Sequence, residues 1–364
     1  MKILLVSNMY PSKKYPHYGV FVKNTEKVLH GLPDVKITRA VLCKHDSKPG
    51  KLFGYLFFYL RILLLGIFGS YDVIYGHFIS HISLPLRLVK KCNPRVRLVL
   101  NAHGNDVIAD SPRDDKWVAQ AHKLVPMAEY IIVPSAYFRQ VLCRDFGVAQ
   151  EKILIYPSGG VNTEVFCPQE SRSLKEKYHL EPDKKYIGYI SRIEVDKGWD
   201  TFLQAIAPLS DRSDLGFIVV GGGDQEAEFE EMAKQLNLSE KIVRYPLLSQ
   251  AQIAQIYNVL DVFCFPTRRK SESLGLVGLE AIACGCLTVT SDAGGPASYM
   301  QDGVNGLVFR KESAAELTEK LLQALSLDRE QLAELQEGME KTRQSYCPRS
   351  VDKILLDFFL QQLS

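Results

Sequence analysis

The sequence has almost no net charge: 44 basic residues stand against 42 acidic ones in 364, a balance of +2. Without a surplus of either sign there is no overall field to gather nucleic acid, and none is expected as a partner. Nor does the N-terminal segment read as a secretory leader. The first apolar run, Ile3–Val6, is too short for one and meets Ser7, Asn8 and Pro11 at once, so it reads as a buried strand. The eight cysteines lack framework spacing, which points to reduced thiols in a cytoplasmic protein. Cys284-Gly-Cys286 has one intervening residue and no second cysteine or histidine pair nearby, which argues against zinc. The glycine fingerprint of a dinucleotide site is missing as well. Ile3–Tyr10 runs into Pro11 without it, and Val219-Val-Gly-Gly-Gly-Asp224 lacks the third glycine, which argues against a nicotinamide oxidoreductase. No internal repeat and no low-complexity tract is present.

What is there is alternation. Apolar runs at Ile3–Val6, Lys36–Leu42, Val73–Tyr75, Leu98–Asn101, Tyr130–Val133 and Ile153–Tyr156 read as strands, with helix-period stretches near 20–31, 52–68, 80–91, 114–127 and 135–145 between them. The pattern pauses over Pro157–Pro182 and restarts with strands at Tyr186–Ile190, Gly216–Val220, Lys241–Arg244, Asp261–Phe265, Leu287–Thr290 and Leu307–Phe309. Helices are expected near 198–208, 225–236, 249–257, 276–284, 314–325 and 328–344, and Pro348 precedes a last one at Val351–Leu363. Such alternation predicts two α/β domains, each a parallel sheet wrapped on both faces, facing each other across a cleft. Ligands of such sheets bind beyond the carboxyl ends of the strands. The expected domains are 1–165 with 349–364, and 166–348.

Leu52–Gly69 is apolar except for Arg61. A spanning helix needs about 20 apolar residues, and a central arginine costs roughly 2.5–3.5 kcal/mol on insertion scales. Three readings stand: a packed helix, a helix docked on a membrane surface with Lys44, Lys48 and Lys51 on anionic lipid, and a span.

Several polar residues fall at strand carboxyl ends. In Glu272-Ser-Leu-Gly-Leu-Val-Gly-Leu-Glu280, two carboxylates bracket a helix start at Gly275, where free N–H groups favour an anion and carboxylate oxygens suit sugar hydroxyls. Read as a glycosidase acid and base, the two glutamates would have to flank a bond, whereas this spacing puts both on one side of a ligand. Arg192 and Lys197 follow the strand ending at Ile190 and could grip a diphosphate. The glycine turn at 221–223, with Gly222 at its centre, allows close backbone approach. His103 lies in the polar turn Asn101-Ala-His-Gly-Asn-Asp106, and Gly19 in the loop after the first strand.

Taken together, the two glutamates with Leu279-Glu-Ala-Ile-Ala-Cys-Gly285, the basic pair, the glycine turn, Asp292-Ala-Gly-Gly-Pro296 and Asp302-Gly-Val-Asn-Gly-Leu307 resemble retaining glycosyltransferase family four, the glycosyl transferases group 1. The resemblance covers nearly the whole chain. It implies the GT-B fold, with two Rossmann-like domains, an acceptor-binding first domain, a donor-binding second domain and a final helix crossing back to the first. It implies a hexosyltransferase that uses a nucleotide diphosphate sugar, a UDP-sugar favoured over a GDP-sugar, with no metal or cofactor. In that frame Arg192 and Lys197 hold the donor diphosphate, Glu272 the sugar hydroxyls, and Glu280 the ribose. Ser273, Leu274, Gly275, Leu276 and Gly222 surround the donor, His103 lies near the anomeric carbon and Gly19 helps seat the phosphate. The acceptor implied is a glycan or lipid-linked saccharide of bacterial surface polysaccharide or glycolipid assembly, met in the cytoplasm or peripherally on the inner face of the plasma membrane. A nucleotide-sugar epimerase of the same fold and a non-catalytic sugar-nucleotide binder are the alternatives. Two positions depart from the family pattern: Ser191 stands where glycine is usual, and Ser273-Leu274-Gly275 replaces Gly-Phe-Gly.

Overall fold

The computed structural model describes residues 1–363. Its strands are β1 (Lys2–Tyr10), β2 (Lys36–Cys43), β3 (Val73–His77), β4 (Arg97–Asn101), β5 (Tyr130–Val133), β6 (Ile153–Ile155), β7 (Lys185–Ile190), β8 (Leu215–Val220), β9 (Ile242–Tyr245), β10 (Val262–Phe265), β11 (Leu287–Ser291) and β12 (Leu307–Phe309). The helices of the first half are α1 (Val20–Leu29), α2 (Lys48–Phe68), α3 (Ile79–Cys92), α4 (Asp115–Leu124) and α5 (Ala136–Phe146). Those that follow are α6 (Ser171–Lys177), α7 (Trp199–Ile206), α8 (Glu226–Gln235), α9 (Gln250–Val259), α10 (Leu276–Ala283), α11 (Ala314–Ser326), α12 (Arg329–Ser345) and α13 (Pro348–Gln362).

The chain divides into two units, residues 1–159 joined by 349 onward, and Gly160–Pro348. The first holds a six-stranded parallel sheet in the order β2-β1-β3-β4-β5-β6, and the second one in the order β12-β11-β10-β7-β8-β9. Each sheet is covered on both faces, so its central strands are solid apolar runs rather than alternating ones, while the edge strands β2 and β9 are only partly buried. Ile3, Leu4, Leu5 and Val6 of β1 are all fully buried, two facing each core layer. In the first unit α2 to α5 cover one face and α1 with α13 the other. In the second, α7, α8 and α11 cover one face, and α9, α10 and Met339 of α12 the other.

The structure differs from the sequence reading at several places. The chain passes between units at Gly159–Gly160, six residues before the expected boundary, because Val161 and Phe166 are buried in the second unit's core. Within the stretch read as a link, α6 forms on a cap: the Glu170 carboxylate accepts from the N–H groups of Arg172 (2.8 Å) and Ser173 (2.7 Å). Helix α2 starts at Lys48 rather than near 52, because Ser47 Oγ accepts from Gly50 N (3.1 Å) and Pro49 occupies the first turn.

Helix α13 closes the first unit. Val351, Leu355 and Phe359 are fully buried, and Phe359 meets the ring of Tyr75 edge-on at 5.4 Å. The Tyr75 hydroxyl accepts from Asn101 Nδ2 (2.7 Å), which fixes the ring beneath the helix. Phe359→Ala should therefore destabilise the first unit by about 3–5 kcal/mol. Chemical denaturation followed by fluorescence measures this, and a loss below about 1 kcal/mol would show that the helix is not a structural part of that unit.

Candidate functional site

In each sheet the strand order reverses at one place: between β1 and β3 in the first unit, and between β7 and β10 in the second. Crossovers leave in opposite directions there, so the loops beyond those strand ends splay and leave a crevice. Gly19 follows β1 and His103 follows β4, next to the first reversal; Arg192 and Lys197 follow β7 and Glu272 follows β10 at the second, and Gly222 follows β8.

In the second unit, the loop after β7 is folded back by a buried hydroxyl. Tyr189 Oη lies 3.0 Å from the carbonyl of Arg192 and 3.3 Å from that of Lys197. This turns the Lys197 side chain toward the loop after β10, where its Nζ donates to Glu272 Oε2 at 2.5 Å. The pair is largely buried, with Lys197 8% exposed and Glu272 half-buried, and Thr267 Oγ1 donates to the same carboxylate oxygen at 3.3 Å. A second pair, Arg268 Nη1 to Asp200 Oδ2 at 2.9 Å, ties the β10 loop to the first turn of α7. The backbone N–H of Arg268 also donates to the carbonyl of Asp196 (3.0 Å), so the two loops form one unit.

Helix α10 begins beside this pair. Its N-cap, Gly275, has φ 74° and no side chain caps the helix. A Cβ at Gly275 would run into the ring of Phe265 and into Pro296, so glycine is required for the turn and for the close approach. The N–H groups of the first turn have no intrahelical partner and carry the positive end of the helix dipole. Ser273 is half-buried and Leu274 buried behind the turn, while Leu276 is exposed at its opening. Glu280 is half-buried further down α10, with Tyr257, Tyr299 and Cys284 around it. Among the described residues none bonds its carboxylate, and burial pushes that group up to about 7.

In the first unit, Gly19 caps α1 with φ 71°, again without a side-chain cap, and its Cα packs against the Met9–Tyr10 backbone at the end of β1. His103 follows β4. Its backbone N–H and that of Gly104 donate to Asp106 Oδ1, each at 2.9 Å, while Asp106 Oδ2 accepts from Ile79 N at the start of α3 (3.0 Å). The imidazole sits among Phe21 of α1, Phe78 and the ring of His77, with His103 Nε2 3.0 Å from His77 Nδ1. Burial pulls His103 down to about 3 and also lowers His77, so both rings are neutral and one donates to the other.

The second unit thus brings Lys197, Glu272 and the α10 N-terminus together, and the first brings Gly19 and His103 to one end through Phe21. Arg192 stands apart from the Lys197–Glu272 pair: its guanidinium is exposed and bonds Glu194 Oε1 at 2.6 Å. Gly222 has room for a side chain, since a Cβ would meet nothing closer than Glu226 Oε2 at 3.4 Å. Its neighbours Gly221 and Gly223 are the tightly packed ones, against the backbone of Ser191 and Ile193. Sequence reasoning overlooked Thr267, Arg268 and His77. The basic run Arg268-Arg-Lys270 directly after a strand was a readable signal for the first two, whereas nothing in the sequence marks His77 as a partner of His103. The Asp302–Gly306 segment is a structural tie: Asn305 Nδ2 donates to Tyr299 O (2.7 Å) and Thr342 Oγ1 (2.8 Å).

Two doubly wound parallel units in tandem, with the last helix belonging to the first unit, define the GT-B class. Solved structures of that fold align along the chain. Sucrose-phosphate synthase from Thermosynechococcus elongatus aligns with TM-score 0.80 and 16% identity, covering 99% of this chain and 98% of that one. HepE from Anabaena in complex with UDP aligns at 0.78 and 16%, covering 99% and 100%. Two family models match successive stretches, Glycosyltransferase Family 4 over residues 17–165 and Glycosyl transferases group 1 over 170–342. The chain belongs to this family, the retaining glycosyltransferases of family four. Among its curated relatives, the D-inositol 3-phosphate glycosyltransferase of Mycolicibacterium smegmatis is 26% identical over 303 residues, 80% of this chain and 67% of the relative. That of Nocardia farcinica is 27% identical over 279 residues, 72% of this chain and 60% of the relative.

The raised Glu280 carboxyl has a consequence for stability. Its pKa in the folded protein lies above its ordinary 4.5, so its stabilising contribution is complete below that value and is lost as pH rises through about 7. Relative to Glu280→Gln, the wild type should lose about 2 kcal/mol between acidic and mildly alkaline buffer, allowing for its partial contact with water. Paired denaturant titrations of both proteins on either side of neutrality measure it, and parallel pH profiles would show that Glu280 titrates normally.

Proposed function

We propose that the protein transfers a hexose from a nucleotide diphosphate sugar to an acceptor hydroxyl, with retention at the anomeric carbon. The observation that carries this reading is the largely buried Lys197–Glu272 pair beside the uncapped start of α10, at the strand reversal of the second sheet. A lysine ammonium has three N–H donors and only one is used on Glu272, so two remain for a departing diphosphate. The α10 N–H groups add fixed positive potential at the same point, and Arg192 is free to leave its surface contact with Glu194 and join them. Glu272 Oε1 accepts from sugar hydroxyls while Oε2 stays on Lys197 and Thr267. Glu280 accepts from the ribose hydroxyls, and that contact draws its carboxyl into the charged form. His103, neutral and held by Phe21, Phe78 and His77, is the first unit's group for the reacting sugar, and Gly19 opens the backbone toward a phosphate.

The acceptor in this reading is a glycan or lipid-linked saccharide of bacterial surface polysaccharide or glycolipid assembly, and the enzyme works on the cytoplasmic side of the plasma membrane. A uridine nucleotide is the first donor to test, since HepE of the same fold has been solved with UDP-glucose as well as UDP. Attack comes from the face the diphosphate leaves, with a leaving-phosphate oxygen taking the acceptor proton. A covalent glycosyl-enzyme trapped on wild-type protein would rule this out.

Lys197→Gln retains a donor for Glu272 but removes the charge, and should lower kcat by about 100- to 1000-fold when assayed well below its melting temperature, which should itself fall because Glu272 loses its charged partner. Glu280→Ala should instead act on binding, weakening UDP affinity by roughly tenfold in calorimetry while kcat at saturating donor stays within a few-fold. Unchanged UDP affinity in Glu280→Ala would remove the ribose role, and normal turnover in Lys197→Gln would remove the diphosphate role.

A further inference from the structure

Helix α2 has two apolar faces and the fold uses one. On the inner face Phe58, Ile62 and Gly66 are buried in the first unit's core. Polar ties fix that face: Tyr59 Oη donates to the carbonyl of His81 (2.9 Å), and Asn93 Nδ2 donates to that of Gly66 (3.3 Å). On the outer face Leu52, Leu56, Leu60, Leu64 and Phe68 form an i, i+4 row, flanked by Phe53 and Phe57, and all are exposed, Phe57 by 66% and Phe68 by 80%. At 100° per residue these positions cover an arc of roughly 160° with Arg61 at its margin. This is one contiguous apolar stripe, not the scattered hydrophobes of an ordinary surface.

A span does not fit. Among the described residues α2 is the one helix long and apolar enough to cross a membrane, yet its inner face is packed and hydrogen-bonded to the domain, so lipid cannot surround it. The charges around it point to the occupant. The helix has no acidic residue, and Lys44, Lys48 and Lys51 are exposed at its start. The nearest acid, Asp46, is engaged by Lys14 and Tyr15 of the loop after β1. Helix α3, packed beside α2, exposes Leu84 and Leu88, and its neighbour α4 carries Trp117, half-exposed and stacked on His81 at 4.6 Å. An aromatic and a lysine cluster beside an apolar row are the elements of a helix lying in a lipid interface.

We propose that the outer face of α2 docks on an anionic bilayer surface and that the lysines at its start present the adjoining loop of residues 11–19 to a lipid-anchored acceptor. The docking stands on the surface itself; only the acceptor rests on the transferase reading. Helix α2 starts at the carboxyl edge of the first sheet, the edge that also bears Gly19 and His103, so a docked helix brings that edge to the headgroup layer.

Sedimentation of the full-length protein with phosphatidylcholine vesicles, with and without phosphatidylglycerol, tests this. Binding should require the anionic lipid and weaken with salt, and Leu56→Glu/Leu60→Glu/Leu64→Glu should reduce it by at least about tenfold. Lys48→Gln and Lys51→Gln should each cost about fivefold at low salt. The glutamate side chains replace exposed groups, so the variant should keep the wild-type UDP affinity in calorimetry; lost vesicle binding with intact UDP affinity supports docking. Equal vesicle recovery of wild type and triple variant overturns it. So does wild type that ignores vesicles but forms a dimer in light scattering that the glutamates dissolve, which would make the stripe a contact between copies. Anionic-lipid binding by a wild type with no affinity for UDP would sink the transferase reading and leave the docking in place.

Discussion

The second unit is organised around one ion pair. Lys197 and Glu272 are 75 positions apart in sequence, yet their strands, β7 and β10, are neighbours at the point where the sheet order reverses. Either charge alone at that depth would be unaffordable, since removing one partner from a buried pair typically costs several kcal/mol. Each therefore holds the other's loop in place. Thr267 and the Arg268–Asp200 pair extend the tie, and α10 starts from the loop so fixed. The result is a group of donors and acceptors set before any ligand arrives, which is the condition for electrostatic stabilisation of a leaving phosphate.

The two units use the same architecture for opposite chemistry. Beyond β7 and β10 the important groups are charged, and beyond β1, β3 and β4 they are neutral and aromatic. His103 is stripped of charge by burial and stacked among Phe21, Phe78 and His77, with a hydrogen bond from ring to ring. An imidazole in that state offers a directed hydrogen bond but no cation. The division follows the demands of the proposed reaction, which requires positive charge at the diphosphate and geometric control without a competing charge at the sugar.

Much of the fold was legible because parallel strands buried on both faces must be written as apolar runs, and the central strands of both sheets carry such runs between helix-period stretches. The exceptions have physical causes. The seven residues of α6 carry one buried position, Leu174, so only its Glu170 cap could have announced it. At the site, the residue types were readable from their place at strand ends, but not which would meet. Arg192 and Lys197 look like a pair in sequence. The turn held by Tyr189 sends Lys197 inward to Glu272 and leaves Arg192 outside with Glu194. Glu280 likewise looks like any helix glutamate until the fold places Tyr257 and Tyr299 around it.

Helix α2 shows a different limit. Residues 52–68 are apolar on every side but that of Arg61, so periodicity does not say which side faces the core, and a packed helix, a docked helix and a span share one pattern. The structure bears on them by showing where stabilisation comes from. Phe58, Ile62 and Gly66, with the bonds from Tyr59 and Asn93, attach the helix to the domain. The outer row contributes no packing to that attachment, and lysine or glutamate there would leave the core intact and improve solubility. Folding therefore does not account for leucine at 52, 56, 60 and 64 or phenylalanine at 53, 57 and 68. On the docking proposed above, a surface that is apolar where the fold gains nothing, and basic where it meets the loop after β1, is accounted for by what lies outside the molecule.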